Sequence, residues 1–196
     1  MLNINRQKEA ANLHYLYEVD SNTDNIQPNE IDRVKRMILS NNYWIENDYA
    51  DFLKHRDMSE YIAFFTPYTP QELKEHGVRT YRLKGYNIGF ALAPQRNGDV
   101  DIISVFNNEP NIRGIINYLM EAAIQKGGNT LDHYDTKLSD MYMKNGFIEY
   151  DRVKWDDRYA HPKWDYEKYD RPDVVFRRIN PELRKSLNLT ERIFKY

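Results

Sequence analysis

Residues 101–147 read DIISVFNNEPNIRGIINYLMEAAIQKGGNTLDHYDTKLSDMYMKNGF, and this stretch decides the fold. Its apolar residues change from strand spacing to helical spacing and back. The spacing predicts, in order, a strand (101–106), a helix (113–126), a second strand (130–135) and a short helix (137–145). Because a helix joins the two strands, we expect them to pair in parallel. Glycines after each helix, Gly127-Gly128 and Gly146, are typical helix stops.

On the N-terminal side the pattern is mostly helical and then changes to strands. Asn97-Gly98 is a tight-turn signal, so the two strands around it are expected to form an antiparallel hairpin. Helical spacing or turn residues predict a helix in 1–20, a polar loop (21–30), helices over 30–41 and 43–58, a strand or buried segment (60–66), a short helix (70–77), and strands over 78–85 and 87–94.

On the C-terminal side the pattern predicts a strand (147–155), a polar aromatic loop (156–172), a last strand (173–179) and a tail helix (181–196). Together the elements predict an α/β (α+β) fold with a mixed sheet, in which an antiparallel meander precedes the parallel pair. We expect a single domain, with a helical N-terminal part (1–58), a core (59–180) and the tail (181–196).

Composition excludes several classes of protein. The 196 residues are 41% hydrophobic and 30% charged, which is typical of a globular domain. No apolar run reaches the roughly 18 residues of a membrane span, and the polar N-terminus lacks a signal core, so we expect a cytoplasmic protein without a membrane partner. The chain has no cysteine, which excludes disulfides and thiolate metal sites. A net charge of -2 gives no general attraction to nucleic acid.

At this point a family resemblance emerges. MYMKNGF (Met141–Phe147) resembles the Leu-Tyr-x-x-x-Gly-Phe signature of the GCN5-related N-acetyltransferase (GNAT) family, and the hairpin NIGFALAP…DVDIISVF is similar to its third and fourth strands. The likeness covers roughly residues 78–179. The segment LDHYDTKLSDMYMKNGF, with RVKWDDRYAHPKWDY and RPDVVF, resembles a divergent subgroup common in phages and prophages. The family fold implies a parallel pair splayed around the loop after the fourth strand.

The resemblance implies acetyl-CoA as cosubstrate. A strand that ends in a loop and opens a helix offers unpaired backbone N–H groups to a diphosphate. In the family's Gln/Arg-x-x-Gly-x-Gly/Ala loop, Gly114 matches, Asn111 is a shorter polar residue, and Ile116 departs from the pattern. Glu109 opposes an anion there and Arg113 favours it. The residues expected at the cofactor are Val105, Phe106, Asn107, Asn111, Ile112, Arg113, Gly114, Ile115 and Asp135.

The resemblance also implies catalytic roles. Tyr142 matches the family tyrosine that protonates the leaving thiolate, although one of 16 tyrosines is as readily a packing residue. Asp101 and Glu109, at the two ends of the fourth strand, are candidates for the base that deprotonates an amine acceptor. Asp135 immediately precedes the short helix and is interpreted more readily as its N-cap.

A second hypothesis is a catalytically inactive relative that binds a host or virion protein through its tyrosine-rich surface. Ile116 and Glu109 favour this hypothesis, whereas Tyr142 and Gly146-Phe147 favour the enzyme. The five histidines show no paired metal-ligand spacing, so no metal is expected. The aromatic loop at 155–172 is expected to cover a sheet edge. The acceptor, a small-molecule or protein amine, and the oligomeric state stay open.

Overall fold

The computed structural model describes residues 28–189 and 193. Within this part the chain forms one mixed seven-stranded sheet in the order β1-β2-β3-β4-β5-β7-β6. The strands are β1 (Trp44–Glu46), β2 (Arg79–Leu83), β3 (Ile88–Pro94), β4 (Val100–Asn107), β5 (Thr130–Tyr134), β6 (Phe147–Val153) and β7 (Val174–Ile179). β1 to β4 form an antiparallel meander, β4 and β5 are parallel, and β7 lies antiparallel between β5 and β6. The predicted fold class is therefore confirmed.

Helices cover both faces of this sheet. They are α1 (Pro28–Leu39), α2 (Tyr49–Arg56), α3 (Pro70–Glu75), α4 (Ile116–Gln125), α5 (Leu138–Lys144), α6 (Tyr166–Tyr169) and α7 (Pro181–Ser186). The larger core holds buried residues of α1, α4 and α5, among them Val34, Met120 and Tyr142. A smaller core under α2 and α3 holds Phe52 and Leu73. No helix in the described part is long and apolar enough to cross a membrane.

The hairpin between β3 and β4 confirms the turn predicted at Asn97-Gly98. Gly98 has a φ of 90°, which favours glycine, and the Asn97 side chain accepts a hydrogen bond from the N–H of Asp99 at 3.0 Å. Gln95 N–H then donates to the carbonyl of Asp99 at 2.8 Å and closes the turn. This hairpin sets the register of β4, the strand that borders the candidate site.

Three sequence predictions were wrong in detail. The helix predicted over 43–58 is instead the short strand β1 followed by α2, and the turn between them places Asn47 at a φ of 57°. The segment 60–66, predicted as a strand or a buried segment, is not a strand but contains a 3-10 turn (Ile62–Phe64) in which Ala63 is buried. The helix predicted from Arg113 begins at Ile116, after Gly114 takes a φ of 70°. The helix predicted in 1–20 and most of the loop at 21–30 lie outside the described residues, as does part of the tail.

We predict that replacing Thr80 by valine stabilises the protein. Thr80 in β2 is 1% exposed, and its hydroxyl finds no hydrogen-bond partner among the described residues. A buried hydroxyl without a partner costs free energy that an isosteric methyl group avoids, so Thr80→Val should raise the free energy of unfolding by about 1 kcal/mol. Urea denaturation measures the change. Thr80→Ser is the control: it keeps the hydroxyl, loses a methyl group and should destabilise. A valine variant no more stable than the wild type would contradict the prediction.

Candidate active site

The two parallel strands touch at one end and separate at the other. β4 and β5 pair at a single position, Asp101 with Thr130, among the described residues. In contrast, β5 pairs with β7 along its whole length. Beyond this pair β4 contains a bulge, where its register with β3 shifts and Ser104 takes a φ of 50°. A bulge increases the local twist and bends the strand. The second half of β4 therefore turns away from β5, and its backbone on that side has no neighbouring strand.

Gly89 in β3 makes room for this bend. A Cβ at position 89 would lie 2.6 Å from the carbonyl oxygen of Tyr81 and 2.8 Å from Cζ of Phe106. Both distances are shorter than carbon contacts allow, and one of the two atoms is backbone. Glycine is therefore required where the Phe106 ring packs across β3. In the sequence, Gly89 within the apolar strand NIGFALAP already indicates a bulge or a close approach, because an isolated glycine in a strand is typical of either.

A cavity of about 150 Å³ lies between the end of β4 and the first turn of α4. Its lining is mainly apolar and consists of Val105, Phe106, Asn107, Arg113, Gly114, Ile115, Ile116 and Leu119. Six of the residues predicted at the cofactor thus border one opening. Asn111 and Ile112 do not line it: Asn111 is exposed and Ile112 is buried in the core below.

The loop before α4 is held by its own hydrogen bonds. The Asn107 side chain donates to the carbonyl of Ile112 at 2.6 Å and accepts from the N–H of Glu109 at 3.2 Å. Arg113 Nη1 donates to the carbonyl of Glu109 at 2.9 Å, and the rest of this exposed guanidinium remains at the mouth of the cavity. The loop is consequently shaped before any ligand binds.

The first turn of α4 presents backbone donors beside the cavity. Tyr118 and Leu119 both donate their N–H to the carbonyl of Ile115 at 3.0 Å, so the N–H groups of residues 114–117 precede the first intrahelical bond. A Cβ at Gly114 would meet no atom within 4 Å, which leaves its peptide open to solvent. Ile116, the first helical residue, is half-buried, lines the cavity and packs on the core.

Glu109 is directed away from this turn. Its carboxylate accepts a hydrogen bond from the N–H of Asn87 at 2.5 Å, and Asn108 N–H donates to the carbonyl of Asn87 at 2.8 Å. The side chain therefore connects the loop to the turn between β2 and β3. The Glu109 carboxylate thus has a hydrogen-bond partner within the protein.

Tyr142 lies inside the core behind β5. It is 9% exposed and its ring centroid lies 5.0 Å from His133 and 6.5 Å from Phe147. Burial first, and then the charge of Asp132, raise the pKa of the Tyr142 phenol, which stays protonated at neutral pH. Tyr142 does not line the cavity. Its helix is nevertheless tied to α4, because buried Asn145 donates to the side chain of Asn117 at 3.0 Å.

His133 and Arg177 support Tyr142, and neither was predicted to have a role in the site. His133 Nδ1 lies 2.7 Å from the carbonyl of Tyr134, and its Nε2 lies 2.9 Å from Nε of Arg177. Nδ1–H therefore donates to the carbonyl and Nε2 accepts from the guanidinium. Burial lowers the pKa of His133, and the nearby Arg177 lowers it further. The imidazole is neutral at pH 7, and its ring lies against that of Tyr142 at a tilt of 40°.

The opposite face of the sheet carries two carboxylates, Asp101 of β4 and Asp132 of β5. The Thr130 hydroxyl donates to the carboxylate of Asp101, so both side chains lie on the face away from α4. Asp132, two residues further along β5, lies on the same face. Burial raises the pKa of Asp101 and outweighs the hydrogen bond from Thr130. Asp132 was not among the predicted site residues, although strand alternation in TLDHYD already indicates that it faces the same way as Thr130.

Asp135 is committed to ion pairs. Its carboxylate accepts from Arg152 Nη1 at 2.5 Å and from the Ser139 hydroxyl at 2.7 Å. Although partial burial raises it, these hydrogen bonds hold the pKa of Asp135 below its usual value. The N-cap interpretation is wrong: the N-cap position of α5 is Lys137, without a side-chain cap.

The aromatic loop between β6 and β7 packs on β5. Trp164 is buried, its indole N–H donates to the carbonyl of Asp170 at 2.9 Å, and its ring lies 4.6 Å from Tyr134 and 5.0 Å from Phe64. The ring of Trp155 lies 4.8 Å from that of Trp164, tilted by 41°. The loop thus forms a wall beside the face of β5 that carries Asp132. Among residues 28–189 and 193, no three His, Asp or Glu side chains are grouped to hold a metal ion.

Comparison with known proteins finds no matching family model and no matching curated protein. Among solved structures, the chain is similar to a GNAT family acetyltransferase from Elizabethkingia anophelis with acetyl-CoA bound (18% identity, TM-score 0.42, 57% of this chain and 83% of that chain). It is also similar to a Bacillus subtilis acetyltransferase in complex with CoA (15%, 0.41, 55% and 81%). A third is the N-acetylglutamate synthase from Neisseria gonorrhoeae complexed with coenzyme A and L-arginine (13%, 0.41, 70% and 34%). At these TM-scores and identities the likenesses assign neither a family nor a ligand to this chain.

We predict that Gly146, which ends α5, tolerates alanine much less well than Gly85. Both have φ near 80°, so each alanine should pay the left-handed backbone cost of about 1–2 kcal/mol. A Cβ at Gly85 meets nothing within 4 Å, whereas one at Gly146 lies 2.2 Å from Cγ of Arg184. Arg184 cannot move freely, because its guanidinium is bonded to Glu121 and to the carbonyl of Asn145.

Chemical denaturation of the two variants isolates this contact. Gly146→Ala should lose about 1–3 kcal/mol more than Gly85→Ala. Equal losses would show that Arg184 moves aside without cost.

Proposed function

We propose that this chain is an acyl-CoA-dependent N-acyltransferase that transfers the acetyl group of acetyl-CoA to an amine. The observation that carries the proposal is the separation of β4 from β5 next to the free N-terminus of α4. This arrangement supplies an opening between parallel strands, unpaired backbone on one side of it, and a turn of N–H donors at its end.

The donors at α4 suit the diphosphate. The N–H groups of residues 114–117 and the positive end of the helix dipole attract an anion. Arg113 adds a cation at the cavity mouth, and the Glu109 carboxylate is occupied by Asn87. The positive φ of Gly114 turns the backbone so that its peptide is open to solvent. A diphosphate can therefore approach the main chain directly.

The second half of β4 suits the pantetheine arm and the thioester. Around Val105–Asn107 no strand of the described part pairs with β4 on its β5 side, so its N–H and C=O groups can bond the amides of the arm as a neighbouring strand would. Val105 and Leu119 offer apolar contact. A backbone N–H of β4 directed at the thioester carbonyl would stabilise the oxyanion that forms on attack.

The amine attacks the thioester carbon, and the C–S bond breaks as the amide forms. The departing thiolate needs a proton or a strong hydrogen bond. Tyr142 keeps its proton at neutral pH because burial raises the pKa of its phenol. A thiol has a pKa of about 8.5, so full proton transfer from this phenol is uphill, and its main contribution is a hydrogen bond that stabilises the thiolate.

A non-catalytic protein that binds a host or virion partner is the second candidate. Two observations favour it: the half-buried side chain of Ile116 takes up space in the cavity, and Tyr142 is not among the residues that line it. In this alternative the fold is a scaffold, and the exposed aromatic residues Tyr159 and Tyr166 belong to the binding surface.

We predict that acetyl-CoA binds and that Ile116→Ala binds it more tightly. The truncation removes the branched side chain beside the N–H groups of the first helical turn, so the diphosphate can come closer. Calorimetry should show a dissociation constant lowered several-fold. Thermal unfolding at a 100-fold excess over the dissociation constant should show stabilisation of about 2.7 kcal/mol.

Ile124→Ala is the matched control, since Ile124 is a half-buried isoleucine on the same helix that does not line the cavity. Its affinity for acetyl-CoA should equal that of the wild type. No binding of millimolar acetyl-CoA by the wild type and Ile116→Ala would leave the protein-binding alternative.

We also predict that Tyr142→Phe lowers kcat and leaves the affinity for acetyl-CoA unchanged. The substitution removes the hydroxyl that stabilises the thiolate and keeps the ring that packs on His133. The expected loss in kcat is roughly 10- to 100-fold, because a hydrogen bond to a charged group contributes about 1.5–3 kcal/mol. Thiol release can be followed with a thiol reagent free of protein background, because the chain has no cysteine. A variant with wild-type turnover would remove Tyr142 from catalysis.

A further inference from the structure

Asp132 lies where β4 and β5 begin to separate. These strands pair at Asp101 and Thr130, and Asp132 lies two residues further along β5. Asp132 is paired with Phe176 of β7, so β7 holds β5 in place at this position on one side. On the other side β5 has separated from β4. Its side chain shares a face with Thr130 and Tyr134.

Asp132 is reachable from solvent. Its side chain is exposed, and the pKa of its carboxyl is raised, first by desolvation from the surrounding protein atoms and second by the charge of Asp101. The carboxylate is therefore open to a ligand on the face of the sheet that it shares with Thr130 and Tyr134. The titratable groups that interact with it are Asp101 of β4, Tyr134 of β5, Tyr142 of α5 and Tyr68 of the segment before α3.

Neither of the other two candidate bases matches this position. Asp101 lies at the closed end of the strand pair and receives the hydroxyl hydrogen bond of Thr130. Glu109 accepts from a backbone N–H on the far side of the loop. Among the described residues Asp132 forms no ion pair with a lysine, arginine or histidine, so its carboxylate is free to accept a cation or a proton.

We propose that Asp132 is the general base of this site and that it takes a proton from the primary ammonium group of the acceptor. The inference rests on the proposed acetyl transfer and extends it to the acceptor side. The acceptor reaches Asp132 along the face of β5 that bears Tyr134, whose ring packs on Phe64, Trp155 and Trp164. Its apolar part lies on this aromatic wall while its ammonium meets the carboxylate.

The step balances in protons and electrons. The ammonium gives one proton to the carboxylate of Asp132, which leaves a neutral amine and a neutral carboxylic acid. The nitrogen lone pair then forms the C–N bond and the C–S electrons leave with sulfur. The second proton of the nitrogen is lost as the amide forms and goes to the thiolate. Asp132 finally releases its proton to solvent, so each turnover produces one amide, one thiol and one proton.

A raised pKa also has a consequence for stability. The folded state holds its proton at Asp132 to a higher pH than the unfolded chain does. Between the two pKa values stability therefore falls as pH rises, and at pH 7 the ionised carboxylate destabilises the fold. A charged group that lowers the stability of the fold is typical of a catalytic site. Asp132→Asn should consequently be as stable as the wild type or more stable at pH 7, while a structural aspartate would lose stability.

The test compares Asp132→Asn with Asp151→Asn, which changes an exposed aspartate on the edge strand β6. Butylamine, lysine and spermidine serve as probe amines, acetyl-CoA as donor, and thiol release as the readout. We expect kcat for Asp132→Asn to fall at least about 100-fold. In the plot of kcat/KM against pH, the rise that reports ionisation of an enzyme group should disappear. The melting temperature should stay the same or rise. Asp151→Asn should match the wild type in all three measurements.

Calorimetry with acetyl-CoA on both variants separates the two proposals. Binding by the wild type together with an unchanged pH profile in Asp132→Asn overturns the role of Asp132 and leaves the acyltransferase intact. Binding without thiol release with any probe amine also overturns that role. Absence of binding overturns both. As an activity-independent check, ¹³C NMR titration should give Asp132 a pKa above that of an ordinary aspartate, and a value at or below it refutes the assignment.

Discussion

The bulge in β4 is the constraint on which the rest of the structure depends. Up to Ile103 the strand belongs to a regular sheet, and beyond Ser104 it turns away from β5. A sheet gives up main-chain hydrogen bonds when two strands separate, and unpaired main chain is costly unless water or a ligand satisfies it. The bend persists because Gly89 admits the Phe106 ring and because β5 is secured by β7 from its other side.

Several contacts then hold the opening in shape. Asn107 fastens the loop before α4, Asn145 joins α5 to the first turn of α4, and Arg184 joins α7 to both through Glu121 and the carbonyl of Asn145. The ion pair of Arg184 with Glu121 is buried, and a buried pair contributes little net stability unless its remaining hydrogen bonds are made. Here the guanidinium also bonds a backbone carbonyl, so the pair serves mainly to position two helices.

Local signals in the sequence predicted most of the sheet. Asn97-Gly98 and the glycines after the helices each describe a few adjacent residues, and the structure agrees with them closely, whereas the helix predicted from Arg113 begins three residues later, at Ile116. Features that depend on distant partners were beyond this kind of reasoning. Glu109 was predicted to oppose a phosphate, but its carboxylate accepts a hydrogen bond from Asn87, which is 22 residues away in the chain. Asp135 was predicted to be a helix cap, but its carboxylate pairs with Arg152, which is 17 residues away.

The five residues of β5 bring the two halves of the proposed chemistry together. Alternation along a strand sends Asp132 to one face and His133 to the other, 3.3 Å or so apart along the chain. The acidic face meets the aromatic wall around Tyr134, where an ammonium would arrive, and the His133 face meets Tyr142, where a thiolate would be stabilised. After burial, the charge of Asp132 contributes to the raised pKa of Tyr142, and a proton taken from the acceptor would remove that charge. The phenol would then be a stronger hydrogen-bond donor at the moment when the thiolate forms, so one short strand would connect the two sides of the proposed reaction.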